Sequence, residues 1–111
     1  MTATAPIDLR ADHQQLVLGI LATLLPAGTR AWVFGSRATG RARPHSDLDL
    51  AIDAGRPLTL DETVRLSEAL RDSDLPYRVD LVDWCAIGDN FRKLIAAERI
   101  CLSETDPVAI S

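Results

Sequence analysis

Apolar residues in the first quarter of the chain return every three or four positions. Leu16, Val17, Ile20, Leu21 and Leu24 share one arc at 3.6-residue spacing, which predicts an amphipathic helix over residues 9–25, closed by Pro26-Ala27-Gly28. His13 falls on the same arc and is expected to be a packed structural residue. Residues 31–34, with Trp, Val and Phe, suit a buried strand. Over residues 47–53 the period changes to two. Leu48, Leu50 and Ile52 face one way, Asp47, Asp49 and Ala51 the other, so this strand should carry carboxylates opposite its core face. After the Gly55-Arg56-Pro57 turn, Thr59 and Glu62 match a capping box, opening a helix that runs to about Asp72 with Leu60, Val64, Leu66 and Leu70 as its apolar arc. A third strand is predicted over residues 77–83, behind Pro76. Asp89 reads as the N-cap of a last helix over residues 90–98, with Phe91, Leu94 and Ile95 as its apolar side. Residues 100–102 suit a small terminal strand, and residues 103–111 a loose tail.

The order helix, strand, strand, helix, strand, helix predicts an α/β (α+β) domain, a small mixed sheet covered by helices on at least one face. A length of 111 residues fits a single domain over 1–111, with an ordered core at about 9–102 and flexible tails. No apolar stretch approaches a membrane span, and residues 1–12 lack the basic head and apolar segment of a signal peptide, so the expected location is cytoplasmic. Cys85 and Cys101 have no metal-site spacing and are expected to be reduced, packed thiols. The net charge of −4 gives no general affinity for nucleic acid, and no direct nucleic-acid binding is expected. Locally the balance inverts: residues 30–46 hold Arg30, Arg37, Arg41 and Arg43 and no acidic residue.

Chemistry concentrates in the same region. Asp47 and Asp49, at i and i+2 on a strand, project from one face and repel each other unless a cation lies between them. Oxygen-only ligands on a strand suit Mg2+ or Mn2+ rather than zinc. A lone pair of this kind is common on exposed strand faces, so its neighbours decide. Gly35 lets the backbone approach a phosphate and Ser36 adds a hydroxyl. A helical turn beginning at Ser36 would aim N–H groups at the same anion. Arg37 and Arg41 stand evenly between phosphate clamp and solvated surface, and Arg43 suits surface. His45 is placed near enough to meet a phosphate, although a lone loop histidine usually does not. Trp32 and Trp84 suit the core better than a base-stacking platform, and Ser46 suits a loop tie.

The stretch GSRATGRARPHSDLD is Gly-Ser, ten residues, then Asp-x-Asp. It resembles the signature of the DNA polymerase β-like nucleotidyltransferase superfamily. The whole chain, through LPYRVDLVDW, looks like a minimal nucleotidyltransferase domain, the MNT half of HEPN/MNT pairs, which often act as antitoxins. The resemblance implies the polymerase β-like fold, with Gly35, Ser36, Arg37 and Arg41 binding nucleotide. It implies a third carboxylate on a later strand, for which Asp80 is the match and Asp83, at the strand end and on the opposite face by parity, the weaker candidate. Asp47, Asp49 and Asp80 would then be catalytic and would hold two Mg2+ ions (Mn2+ as the alternative). A hydroxyl would attack the α-phosphorus of ATP in line, with pyrophosphate leaving and Asp80 beside the entering hydroxyl to accept its proton. By the same resemblance the acceptor is a HEPN-type helical toxin in a hetero-oligomer, adenylylated on tyrosine. The chain has room for the catalytic core and little else, so the acceptor is expected from another chain or a dimer. Two alternatives stay open: a small-molecule nucleotidyltransferase working with a separate substrate-binding subunit, and a non-catalytic nucleotide-binding partner subunit.

Overall fold

The structure, a computed structural model, describes residues 7–102. Helix α1 (Ala11–Leu24) leads into β1 (Arg30–Phe34), a one-turn helix α2 (Ser36–Thr39) and β2 (Leu48–Asp53). Helix α3 (Leu60–Arg71), β3 (Val79–Asp83), a 3-10 turn (Trp84–Ala86), α4 (Asp89–Glu98) and β4 (Ile100–Cys101) follow. The four strands form one sheet in the order β3-β2-β1-β4. β1 pairs antiparallel with β2 and with β4, while β2 and β3 run parallel. The short link through α2 returns the chain beside itself, whereas α3 provides the crossover that a parallel pair requires. The sheet is therefore mixed, as expected.

The period-two pattern of β2 holds. Leu48, Leu50 and Ile52 are fully buried in one core with Ala31 and Val33 of β1, against Val17 and Leu21 of α1 and Leu66 and Leu70 of α3. Burying each such side chain contributes about 1.5–3 kcal/mol, so this layer anchors the sheet. The other face is not left open. Ala51, predicted to share the face of the carboxylates, is fully buried in a second, smaller cluster with Trp32 and with Ile95 of α4. Helix α4 thus covers the far half of that face and leaves Asp49 at its border.

Several boundaries and arcs differ from expectation. Leu60 and Val64 are 79% and 44% exposed. At about 100° per residue, Val64 lies about 160° around the helix from Leu66, so the core arc set by Leu66 and Leu70 cannot include it. On α4 Leu94 lies about 100° around from Ile95 and is 60% exposed, and Ile95 alone of the predicted trio is fully buried. The N-cap of α4 is Gly88, one residue before the expected Asp89, which sits in the first turn where its charge favours the helix dipole. β3 begins at Val79, two residues later than expected, and Tyr77 before it shares a hydrogen bond with His13. The capping box is present: Glu62 N–H donates to Thr59 Oγ1 at 3.0 Å and Thr59 N–H to Glu62 Oε1 at 2.9 Å. Neither cysteine is in a disulfide. The predicted tail, residues 103–111, lies outside the described residues.

Candidate active site

The site begins at the end of β1. Gly35 has φ 74° and ψ −151°, backbone that a side chain other than glycine's strongly disfavours. A Cβ here would also overlap Asp49 Oδ2, so glycine is required twice over. The peptide is held in place by Glu98, at the end of α4, whose Oε1 accepts from Gly35 N–H at 2.7 Å. The sharp turn opens α2 at Ser36, with Gly40 closing it in the left-handed region. By helix geometry the leading N–H groups of α2, those of Ser36 and Arg37, have no intrahelical acceptor and carry partial positive charge.

Asp49 lies immediately beneath that turn. Its Cα partner across β1 is Phe34 and across β3 is Asp80. Asp47, just before β2, lies by alternation on the face of Asp49. Arg78 joins this group: its Nη2 donates to Asp47 Oδ2 at 3.2 Å and its Nε lies 3.4 Å from Asp80 Oδ1. Burial first, and then the negative charges of Asp80, Asp47 and Glu98, push the Asp49 carboxyl above its ordinary value, with Arg78 opposing them. Asp83 belongs elsewhere: its Oδ2 accepts from Leu58 N–H and its Oδ1 from Cys85 N–H.

A raised carboxyl pKa has a definite stability consequence. Below the ordinary value of 3.8 the contribution of Asp49 is fully favourable, and it is lost as pH rises through the folded-state value. At neutral pH the charge is a cost. Asp49→Asn is therefore expected to raise the melting temperature of EDTA-treated protein at neutral pH. Like charges facing across strands cost on the order of 0.5–1 kcal/mol, or roughly 2–6 °C in a domain of this size. The gain should vanish on acidification below the ordinary aspartate range, and an unchanged melting temperature at neutral pH would contradict the electrostatic account.

Arg37 departs from the phosphate-clamp expectation. It is 5% exposed, and its guanidinium donates to the carbonyls of Ser46, Asp8 and Pro44 while stacking 4.1 Å over the Tyr77 ring. Tyr77 in turn shares a hydrogen bond with His13 Nδ1 at 3.0 Å. Arg37 so ties the segment before α1 to the loop that delivers Asp47. Its charge satisfies carbonyls that would otherwise be orphaned, which is why it is buried. Arg37→Ala is expected to cost about 2–3 kcal/mol in urea unfolding, the usual loss for hydrogen bonds from a charged donor. Unchanged stability with a tenfold loss of ATP affinity would restore the clamp.

Arg41 is exposed, its Nε bonded to Thr39 Oγ1 at 3.1 Å, within the same turn as Ser36. Arg43 and His45 are exposed on the loop. Ser46 Oγ accepts from Arg43 N–H at 2.8 Å. Trp32 is buried, 5.3 Å from Trp84, and Arg99 stacks on both rings. Two members of the site went unnoticed in the sequence. Arg78 was findable, since it precedes Asp80 by two and shares its face. Glu98 carries no local signal, because it arrives from a helix 63 residues beyond Gly35.

The donor set suits a hard divalent cation: carboxylate oxygens gathered on one face, with one of them held above its ordinary pKa partly by the charge of its neighbours. Among the described residues, no group of three or more His, Cys, Asp or Glu side chains is placed close enough together to hold a metal ion as it stands. No helix among them is long and apolar enough to cross a membrane.

The site thus sets a glycine-serine turn against carboxylates on adjacent strands of a mixed sheet. Residues 27–108 match the family described as polymerase beta, nucleotidyltransferase, and the chain belongs to that family. It is 42% identical over 106 residues to a Haemophilus influenzae protein named probable protein adenylyltransferase MntA, covering 96% of this chain and 92% of that one. Among solved structures it is similar to a toxin-antitoxin with AMP-PNP, at TM-score 0.70 and 25% identity over 80% of this chain and 71% of that one. It is also similar to a minimal nucleotidyltransferase, at TM-score 0.63 and 35% identity over 80% of this chain and 88% of that one.

Proposed function

We propose that this nucleotidyltransferase is an antitoxin that transfers AMP from ATP to a partner toxin of the HEPN type, on a tyrosine hydroxyl, in the cytoplasm. The observation that carries the reading is the parallel register that sets Asp80 opposite Asp49, with Gly35 against Asp49 and Ser36 opening the turn above. The 42% identity to a protein named as a protein adenylyltransferase supports the choice of a protein acceptor, and the likeness to a toxin-antitoxin with AMP-PNP supports a toxin.

In this reading Ser36 and the leading N–H groups of α2 bind the triphosphate, with Arg41 at the open side. Asp47, Asp49 and Asp80 would hold two divalent ions, Mg2+ or Mn2+, which when bound supply charge neutralisation for the triphosphate and the leaving pyrophosphate. Asp80 accepts the proton of the attacking hydroxyl. The hydroxyl oxygen bonds to the α-phosphorus, the bond from that phosphorus to the bridging oxygen breaks, and pyrophosphate carries the electron pair away. Helix α4, through Glu98, holds the Gly35 peptide so that the turn and Asp49 keep their spacing. Incubating the protein with ATP, Mg2+ and the toxin encoded beside it, then weighing the toxin, tests the proposal. A mass gain of one adenylyl group is expected, and silencing of the toxin without any adduct would overturn it.

A further inference from the structure

The carboxylate cluster already contains a cation of its own. Leu48 N–H donates to Arg78 O at 2.9 Å, so the ladder between β2 and β3 fixes the Arg78 backbone beside Asp47. The period of the strand then puts Arg78 and Asp80 on one face. From there the guanidinium reaches both outer carboxylates, Asp47 at 3.2 Å and Asp80 at 3.4 Å. Its side chain is 74% exposed, so electrostatics rather than packing holds it. Among the described residues no other Arg or Lys makes an ion pair with Asp47, Asp49, Asp80 or Glu98.

We propose that Arg78 is a built-in counter-cation that competes with divalent metal for Asp47 and Asp80, and so sets the metal affinity of the site. The inference rests on the nucleotidyltransferase reading of these carboxylates. An ion binding the same oxygens must displace the guanidinium and gains only the difference between the two attractions. Arg78 therefore stabilises the metal-free cluster and weakens metal binding at once, by the same two contacts. Because the pair is exposed, the effect is modest and falls with salt.

The test uses the nucleotide-free full chain titrated with Mn2+, free ion being read by electron paramagnetic resonance. Arg78→Ala and Arg78→Gln are each expected to bind Mn2+ about three- to tenfold more tightly than wild type at low ionic strength. The gap should narrow at about 0.5 M salt, and Arg78→Lys should stay near wild type. In thermal unfolding, Arg78→Ala should melt lower than wild type in EDTA and gain more on adding Mn2+. Equal or weaker Mn2+ binding by both Arg78→Ala and Arg78→Gln overturns the competition while leaving the transferase intact. Failure of wild type and variants alike to bind Mn2+, even with ATP present, overturns the metal-site reading and the inference with it.

Discussion

Asp80→Asn is expected to abolish adenylyl transfer while leaving ATP bound. Asp80 lies across the parallel register from Asp49, and Asp49 is the residue set against Gly35. The asparagine keeps the shape and one hydrogen-bonding oxygen. Asp47 and Asp49 remain beneath the turn, and Ser36 and the leading N–H groups of α2 remain in place above them, so the proposed triphosphate cradle is kept. What disappears, in the proposed mechanism, is the negative charge beside the entering hydroxyl and the group that takes its proton. Loss of a general base alone costs about 10²–10⁴-fold, and a weakened hold on the divalent ion adds to that. Calorimetry with ATP and Mg2+ should give an affinity within a few fold of wild type, while mass spectrometry of the toxin should find no adduct. Adduct formation within about tenfold of the wild-type rate would remove Asp80 from the mechanism, since general-base loss cannot be that small.

The parts of the fold that were legible in the sequence are those written in local periodicity. Leu48, Leu50 and Ile52 alternate against Asp47 and Asp49, and that alternation survives folding because one face of β2 must enter the core. The Thr59–Glu62 box is a contact between residues three apart, and so is visible without any tertiary knowledge. Arg37 is the opposite case. Its neighbours in sequence, Gly35 and Ser36, belong to a phosphate-binding pattern, yet its partners are carbonyls of Asp8, Pro44 and Ser46, brought to it by loop packing that no period encodes. Leu60 and Val64 also look like core residues locally. Their exposure follows from their angular place on α3, away from the arc that Leu66 and Leu70 turn to the core, and residue type alone does not say which apolar positions form that arc. Glu98 was invisible for the same reason, as a carboxylate near the end of a helix becomes a ligand of Gly35 only when β4 closes the sheet beside β1.

Gly35→Ala should be the most damaging single-methyl change in the protein, lowering both stability and transfer. Two independent penalties meet at that position. The backbone, at φ 74° and ψ −151°, lies where only glycine is at ease, and forcing another residue there costs on the order of 1–3 kcal/mol. The added Cβ also overlaps Asp49 Oδ2, so the carboxylate must rotate away from the turn while its backbone stays fixed between β1 and β3. The turn cannot swing away without losing the bond from Gly35 N–H to Glu98. A melting temperature lower by roughly 10 °C is expected, from about 2 kcal/mol in a domain of this size. Transfer should fall by about 100-fold or more even where the protein is folded, since an ångström of displacement between the triphosphate cradle and Asp49 is enough to cost that much. The two penalties separate in a double-variant cycle read by stability. Adding Asp49→Ala removes the overlap but not the backbone strain, so part of the lost stability should return, with a coupling of about 0.5–3 kcal/mol between the sites. If Gly35→Ala melts and transfers as wild type does, the turn does not hold this conformation in solution. The apposition of Gly35 and Asp49, on which the proposed triphosphate site depends, would then be lost with it.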